Sequence, residues 1–325
     1  MDLKVLKKLM RNLIAVFCLF LFSANGCKAP QSDTNPQDDD QPVSSLFAAP
    51  IALSEIDIPD LDEASGLANS RSNPDYLWSH NDSGGTPTIF LMTLQGADSG
   101  RYHLSGAQNI DWEDLAIGPG PVDNTNYLYA ADIGDNNAVR QSLTIYRVPE
   151  PDVSVRFRST GGGNQVQIDL PAEATLTGIE SINFVYEDGA RDAEALFVDP
   201  ATKDIYIITK REPSVILYRL PFPQSTTDQN TAERVMVLPY TFVVGADISP
   251  SGNELLIKNY SNVYHWQRTG SETIQQMLSN GPNRLNYRVE PQGESIAWAT
   301  NESGYFTLSE SDGNDPVVIY RYARN

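Results

Sequence analysis

Short hydrophobic runs separated by turn-forming residues dominate the chain over 51–325. The runs are rich in β-branched and aromatic residues, and the segments between them contain Gly, Asn, Asp and Pro, which is typical of short β-strands joined by turns. Hydrophobic residues at helical spacing occur over 271–279, which predicts one short helix. The pattern as a whole predicts an all-β fold.

An aromatic strand recurs along this region. The copies are Ile89-Phe90-Leu91, Ile145-Tyr146-Arg147, Leu217-Tyr218-Arg219, Val263-Tyr264-His265 and Ile319-Tyr320-Arg321. Two further strand-like segments precede each copy. The first of them spans 65–68, 113–116, 194–197, 246–249 and 294–297, and the second spans 76–79, 127–130, 205–208, 255–258 and 305–308. This recurrence predicts five equivalent units of at least three strands.

A fourth strand follows the aromatic strand in the first four units, at 100–104, 182–186, 234–238 and 285–289. The fifth unit runs out of chain, and we expect 51–58 from the N-terminal side to complete it. Such closure predicts a β-propeller of five four-stranded blades. The insertion near 150–177 is either an excursion from one face or a sixth blade. A β-sandwich is the structural alternative.

The N-terminal segment has the pattern of an export signal. Lys4, Lys7, Lys8 and Arg11 precede an apolar stretch over 13–22 that is short for a membrane span. Small residues then lead to Cys27, as in the lipobox of bacterial lipoproteins. We therefore predict a lipoprotein signal peptide over 1–26 and acylation of Cys27; cleavage after Ala24 or Gly26, with Cys27 as a free thiol, is the alternative.

The segment 27–50 is predicted to be a lipidated cysteine followed by a flexible acidic tether, because it is rich in Pro, Gln, Ser and Asp and has little to bury. Lys28 after the cysteine resembles lipoproteins that Gram-negative cells transfer to the outer membrane. The expected location is therefore outside the cytoplasm, on a lipid anchor in the outer membrane.

The formal net charge of the chain is −19. A strongly negative surface repels nucleic acid and anionic lipid head groups, so neither is an expected partner, whereas cations are. Cleavage before Cys27 would leave a single cysteine, so no disulfide is expected within the domain.

Three glutamates occupy one equivalent position at the start of the first strand of their units: Glu113, Glu194 and Glu294, with Ser65 and Ala246 in the other two units. In a propeller these positions converge on the axis. Carboxylate ligands of this charge favour Ca²⁺, and the chain has no zinc-ligand spacing among its three histidines. The alternative is structural: the acids would accept hydrogen bonds from backbone groups of the neighbouring blade and so hold the ring together.

The loops that follow the second strand of each unit supply a second set of candidate residues, alongside the column formed by the glutamate positions. Asp82 and Asp132 are further candidate metal ligands there, although Asp is also a common turn residue. His80, Lys210, Arg211 and Lys258 are not turn formers and are the candidate catalytic residues. Because strands in a blade are antiparallel, we expect both sets of residues at one end, where acids would hold a metal and bases an anionic substrate.

Several sequence segments resemble exported bacterial β-propellers of the phytase-like, SdiA-regulated and NHL- or WD40-like groups. They are 64–68, 78–85, 111–116, 132–136 and 192–196. The resemblance covers most of 51–325 and implies a propeller fold; its phytase-like branch implies Ca²⁺ and phosphate chemistry.

Two functions follow as expectations. The favoured one is a binding module in the cell envelope that presents its loops to an envelope protein, a glycan or a small anionic ligand. The alternative is a Ca²⁺-dependent hydrolase of phosphoesters or lactones at the mouth of the central channel. A purely structural lipoprotein is compatible with the same residues.

Overall fold

The computed structural model describes residues 42–152, 157–160, 164–167, 172–311, 313 and 316–325; for 157–160, 164–167 and 172 only the backbone is described. The predicted signal peptide, Cys27 and most of the predicted tether lie outside the described residues. Among the residues described, none lies in a helix with the length and hydrophobicity that a membrane crossing requires.

The described chain is almost entirely β-structure, which confirms the predicted class. The first strand, β1 (Ile51–Glu55), precedes unit 1, which is formed by β2 (Ala64–Asn69), β3 (Tyr76–Asn81), β4 (Thr88–Thr93) and β5 (Asp98–Leu104). Unit 2 begins with β6 (Trp112–Pro119), β7 (Asn126–Asp132) and β8 (Leu143–Pro149). An inserted segment with β9 (Phe157–Thr160), β10 (Asn164–Gln167) and β11 (Ala172–Leu176) follows, and β12 (Glu180–Tyr186) completes the unit.

Three more units follow the same plan. Unit 3 consists of β13 (Ala193–Val198), β14 (Ile205–Thr209), β15 (Ile216–Leu220) and β16 (Asn230–Val237). Unit 4 consists of β17 (Val243–Ile248), β18 (Glu254–Asn259), β19 (Val263–Gln267), helix α1 (Ile274–Leu278) and β20 (Asn283–Arg284). Unit 5 consists of β21 (Gly293–Trp298), β22 (Gly304–Ser309) and β23 (Val318–Ala323), and β1 pairs antiparallel with β23 as its fourth strand.

The first strands of the units form a closed ring. Each of β2, β6, β13, β17 and β21 contacts the first strand of the next unit, and β21 contacts β2. Hydrophobic side chains fill the space between neighbouring units, as with Trp78 and Trp112 between units 1 and 2. Radial sheets around a ring of fully buried inner strands make the fold propeller-like.

The insertion does not follow the plan of the units. Strands β9 and β10 pair only with each other, and β11 adds to the outer edge of unit 1 by pairing in parallel with β5. Within the described residues the insertion contributes no four-stranded sheet of its own. Units 2 and 3 are joined by parallel pairing of their outer strands β12 and β16.

The outer strand of unit 4 differs from the prediction at 285–289. Strand pairing with β19 covers Asn283–Arg284, and the N–H of Leu285 donates to the carbonyl of Val263 at 2.9 Å. The chain then turns towards the inner strands, where Tyr287 donates its hydroxyl to Glu290 at 3.0 Å. The predicted helix, in contrast, is confirmed as α1, and Thr273 and Gln276 form a capping box at its start.

The segment before β1 is packed, although the sequence predicted that the tether extends to residue 50. Phe47 is 1% exposed and lies 5.2 Å from the ring of Tyr305 and 5.9 Å from that of Trp298. The backbone of Phe47 pairs with Arg324, and the Arg324 guanidinium lies 4.9 Å from the Phe47 ring. Packing against units 4 and 5 therefore begins N-terminal to the predicted boundary at residue 51.

Candidate functional site

The glutamate column arises from a repeated β-bulge. At the start of β6, Trp112 pairs with Asp132 and Asp114 with Ala131, so Glu113 is an extra residue without a partner across the strand. Glu194 in β13 and Glu294 in β21 occupy the same extra position. A bulge re-aims the side chain of its extra residue. The side chains of all three glutamates therefore depart from the alternating side-chain directions of their strands.

The pairing register corrects the assignment in unit 4. Val243 pairs with Asn259 and Gly245 with Lys258, so the residue equivalent to the glutamates is Val244, whereas the sequence comparison chose Ala246. In unit 1 the extra position falls within Ser65 and Gly66. The column thus holds three acids, a valine and a small residue.

Five carboxylates gather at this end of the ring in two overlapping groups. The first triad is Asp82, Asp111 and Glu113, and the second triad is Glu113, Asp192 and Glu194; within each triad one oxygen per residue lies within 4.8 Å of the others. Sequence reasoning missed Asp111 and Asp192. The repeated Asp-x-Glu of Asp111-Trp112-Glu113 and Asp192-Ala193-Glu194 was the available signal.

Basic side chains neutralise the second triad. Lys210 forms an ion pair with Glu194, and Arg211 forms one with Asp192. Burial lowers the pKa of Lys210, but the nearby carboxylates of Glu194 and Glu294 outweigh it and raise that pKa above its usual value. Lys210 is therefore a permanent cation, and it already occupies one side of the cluster.

The first triad has no such partner. Glu113 is only 5% exposed, and no hydrogen bond in the described part of the chain reaches its carboxylate. Asp82 Oδ1 is also buried without a hydrogen-bond partner among the described residues. Lys210 and Arg140 act on Glu113 and Asp111 only through their charges, and neither forms an ion pair with the first triad among the described residues. A buried acid without a donor is costly, which makes the first triad the place where a cation would gain most.

The pKa shifts agree with that distribution of charge. Burial, followed by repulsion from Glu194 and Asp82, raises the pKa of Glu113 well above its usual value. Burial, with Asp111 and Glu294 next, raises the pKa of Asp82 to about 7. Burial and Asp192 raise the pKa of Asp111. All three shifts oppose ionisation, and a bound cation would reverse them.

The direct contacts of Glu294 are with residues outside both triads. Its Oε1 accepts a hydrogen bond from the Tyr260 hydroxyl at 2.5 Å and lies 3.9 Å from Lys210 Nζ. Burial and Glu294 together raise the pKa of the nearby Glu310 to about 9. Glu294 therefore belongs to a network with Lys210, Tyr260 and Glu310, and it is in neither triad.

Asp132 positions the first triad and is not part of it. Its Oδ1 accepts the backbone N–H of Asp111 at 3.1 Å and pairs with Arg140 at 2.8 Å. Of the predicted metal ligands, the structure thus brings Asp82, Glu113 and Glu194 into the triads and places Asp132 and Glu294 beside them.

Two of the candidate catalytic residues are enclosed. His80 is fully buried, lies 5.4 Å from the Trp112 ring, and burial lowers its pKa to about 4. Lys258 is also fully buried and donates to the backbone carbonyl of Gly293; burial lowers its pKa to about 8. Lys210 and Arg211 are held by acids, as described above. The arrangement thus leaves the buried bases poorly placed to receive an anionic substrate.

A glycine makes room for the carboxylates. A Cβ at Gly134, in the loop after β7, would lie 2.1 Å from Glu113 Oε1 and 2.4 Å from Asp111 Oδ2. Only glycine lets the backbone approach both acids this closely. The loop therefore forms a wall of the first triad.

The predicted structural role of the glutamates is filled by other residues. Asp114 accepts the N–H of Leu196 in unit 3 at 2.8 Å, and Asp247 accepts that of Trp298 in unit 5 at 2.7 Å. Ser65 donates to the carbonyl of Glu113 at 2.6 Å. Glu194 pairs with Lys210 of its own unit, whereas Glu294 joins units 4 and 5 through the side-chain hydroxyl of Tyr260 and not through a backbone group.

Comparisons with known proteins add little to this description. No protein-family model matches the chain, and no curated protein matches it. Among solved structures, the crystal structure of a Nidogen/Laminin complex aligns with 77% of this chain and 73% of that chain, at 9% identity and a TM-score of 0.44. A likeness this distant carries no argument about function. The resemblance to phytase-like and SdiA-regulated propellers stays a prediction from the sequence.

Proposed function

We propose that this chain is an exported binding protein of the cell envelope, a five-bladed β-propeller anchored to the outer membrane through Cys27, and that it binds Ca²⁺ at the first triad. One observation carries the metal proposal: Glu113 is buried among acids without a donor. Hard carboxylate oxygens are the ligands that Ca²⁺ prefers. The four-stranded units and the completion of the last by β1 support the five-bladed architecture.

The binding role has more support than hydrolysis. A metal-dependent phosphoesterase or lactonase needs a positive group free to hold developing negative charge. Here Lys210 and Arg211 pair with Glu194 and Asp192, and Lys258 is enclosed against Gly293. We therefore expect phosphoester and lactone substrates to remain intact in the presence of protein and Ca²⁺.

Thermal unfolding of the full chain tests the metal site. Ca²⁺ at millimolar concentration should raise the melting temperature relative to chelator, because a ligand that binds only the folded state stabilises it. Glu113→Gln should abolish the rise. Glu55→Gln removes an exposed acid of β1 and should retain it.

An equal rise in the Glu113→Gln variant would place the cation elsewhere and overturn the proposed site. No rise in the unsubstituted protein would overturn the Ca²⁺ proposal itself. Release of phosphate from a phosphoester panel, dependent on Ca²⁺ and lost in Glu113→Gln, would restore the hydrolase as the better proposal.

A further inference from the structure

The first triad would leave part of the coordination shell of Ca²⁺ open to a ligand. Ca²⁺ takes six to eight oxygen ligands, more than three carboxylates supply in most geometries. Glu113 is buried, whereas Asp82 and Asp111 are partly exposed. The open positions would therefore lie on the solvent side, beside Asp82 and Asp111.

Charge restricts what can fill those positions. Three carboxylates and one Ca²⁺ leave a net negative charge. The nearby bases Lys210, Arg140 and Arg211 are already paired, with Glu194, Asp132 and Asp192 respectively. The chain as a whole, with these acids included, has a formal net charge of −19. An anionic ligand would thus meet a repulsive field, while neutral oxygen donors would not.

Two exposed aliphatic side chains lie on segments that carry or border the acids. Ile110, next to Asp111 in the chain, is 54% exposed, and Val139 is 71% exposed. The N–H of Val139 donates to Asp135, whose own N–H donates to Asp192 of the second triad at 2.8 Å, so this loop borders the cluster. A ligand with hydroxyl groups on one edge and C–H groups on a face matches acids flanked by aliphatic side chains.

We propose that the first triad, loaded with Ca²⁺, binds carbohydrate through a pair of vicinal hydroxyl groups, with Ile110 against the sugar ring. This inference rests on the proposed Ca²⁺ site and names the ligand class for it. Neutral hydroxyl oxygens complete the coordination without adding charge, and their protons can donate to Asp82 and Asp111.

Two titrations of the full chain test the carbohydrate inference separately from the Ca²⁺ site on which it rests. Calorimetry with Ca²⁺ alone tests the metal site. Calorimetry of the Ca²⁺-loaded protein with mannose and with galactose then tests the ligand class, against deoxy analogues that lack the vicinal pair and against inorganic phosphate. We expect weak, saturable binding of at least one intact sugar, lost with its deoxy analogue and with chelator.

Ile110→Ala provides a variant outside the metal ligands. It should weaken sugar binding several-fold and leave the Ca²⁺ titration unchanged. Ca²⁺ binding without sugar binding would overturn only the carbohydrate inference, as would binding of phosphate in preference to sugars. Absence of Ca²⁺ binding would overturn both the proposed metal site and the carbohydrate inference that depends on it.

Discussion

Adjacent acids in β6 have opposite surroundings. Asp114 accepts the N–H of Leu115 and the N–H of Leu196, both at 2.8 Å, so each of its oxygens holds a backbone donor. Glu113, one residue earlier, faces Asp82 and Glu194 without a donor. Asp114 therefore stabilises the folded state, whereas Glu113 destabilises it unless a cation is bound.

Substitution of these neighbours should therefore change stability in opposite directions. In chelator, Glu113→Gln should raise the free energy of unfolding by about 1–2 kcal/mol, because folding no longer has to keep an acid protonated, or bury its charge, beside other acids. Asp114→Ala should lower it by about 1–3 kcal/mol, because two buried N–H groups lose their acceptor. Urea denaturation measures both values. Destabilisation by Glu113→Gln would assign that residue a structural role.

Gly134→Ala tests the wall of the first triad. The new Cβ would displace the flexible ends of Glu113 and Asp111 more than any backbone atom. We expect Ca²⁺ affinity to fall at least about tenfold, or about 1.4 kcal/mol, with a smaller change in metal-free stability. Gly281→Ala is the control, since nothing lies within 4 Å of its Cβ position. Equal affinities in the two variants would contradict the assigned geometry.

At the scale of elements, the hydrophobic pattern predicts strands well but does not reveal their register. A bulge adds a residue without changing the composition of its strand, which is why Val244 was missed and Ala246 chosen in unit 4. The same limit hid Asp192, because its approach to Glu113 depends on how units 2 and 3 pack together. Asp111 lies only two residues before Glu113, but the hydrophobic pattern does not show that their carboxylates come together. The packing of Phe47 was missed because a single aromatic residue in a polar segment has no periodicity.

Phe47 provides a direct test of that packed segment. Phe47→Ala removes a ring buried against Trp298 and Tyr305 and should lower the free energy of unfolding by about 3–5 kcal/mol. Leu46→Ala, at a neighbour that is 37% exposed, should lower it by less than about 1 kcal/mol. Chemical denaturation compares the two variants. Equal, small effects would mean that the segment is a loose tether up to β1.

At the scale of the whole molecule, polar contacts tie neighbouring units together around the ring. Asn69 of unit 1 accepts the N–H of Thr300 in unit 5 at 2.8 Å, and Arg268 of unit 4 pairs with Asp199 of unit 3 at 2.7 Å. Asp247 joins units 4 and 5 through Trp298. The sequence predicted a closed assembly from its repeats, but these cross-unit partners are far apart in the chain and became visible only in the fold.

Asp247 makes ring stability depend on pH. Burial raises its pKa to about 7, although the charge of Arg71 opposes the shift. The unfolded chain releases this proton near an ordinary pKa of about 4, so the folded state binds the proton more tightly between about pH 4 and 7. The contribution of Asp247 to stability therefore falls as pH rises through that interval, by at most about 4 kcal/mol.

Asp247→Asn keeps an oxygen for the Trp298 N–H but does not ionise. Relative to the unsubstituted protein, its free energy of unfolding should rise from pH 4 to about pH 7, and the difference should level off between pH 7 and pH 8. Denaturation across this range, with the exposed Asp75→Asn as control, measures the difference while other titrating groups cancel. A difference that is constant with pH would mean that Asp247 binds its proton equally in the folded and unfolded states, so that burial in the ring does not raise its pKa.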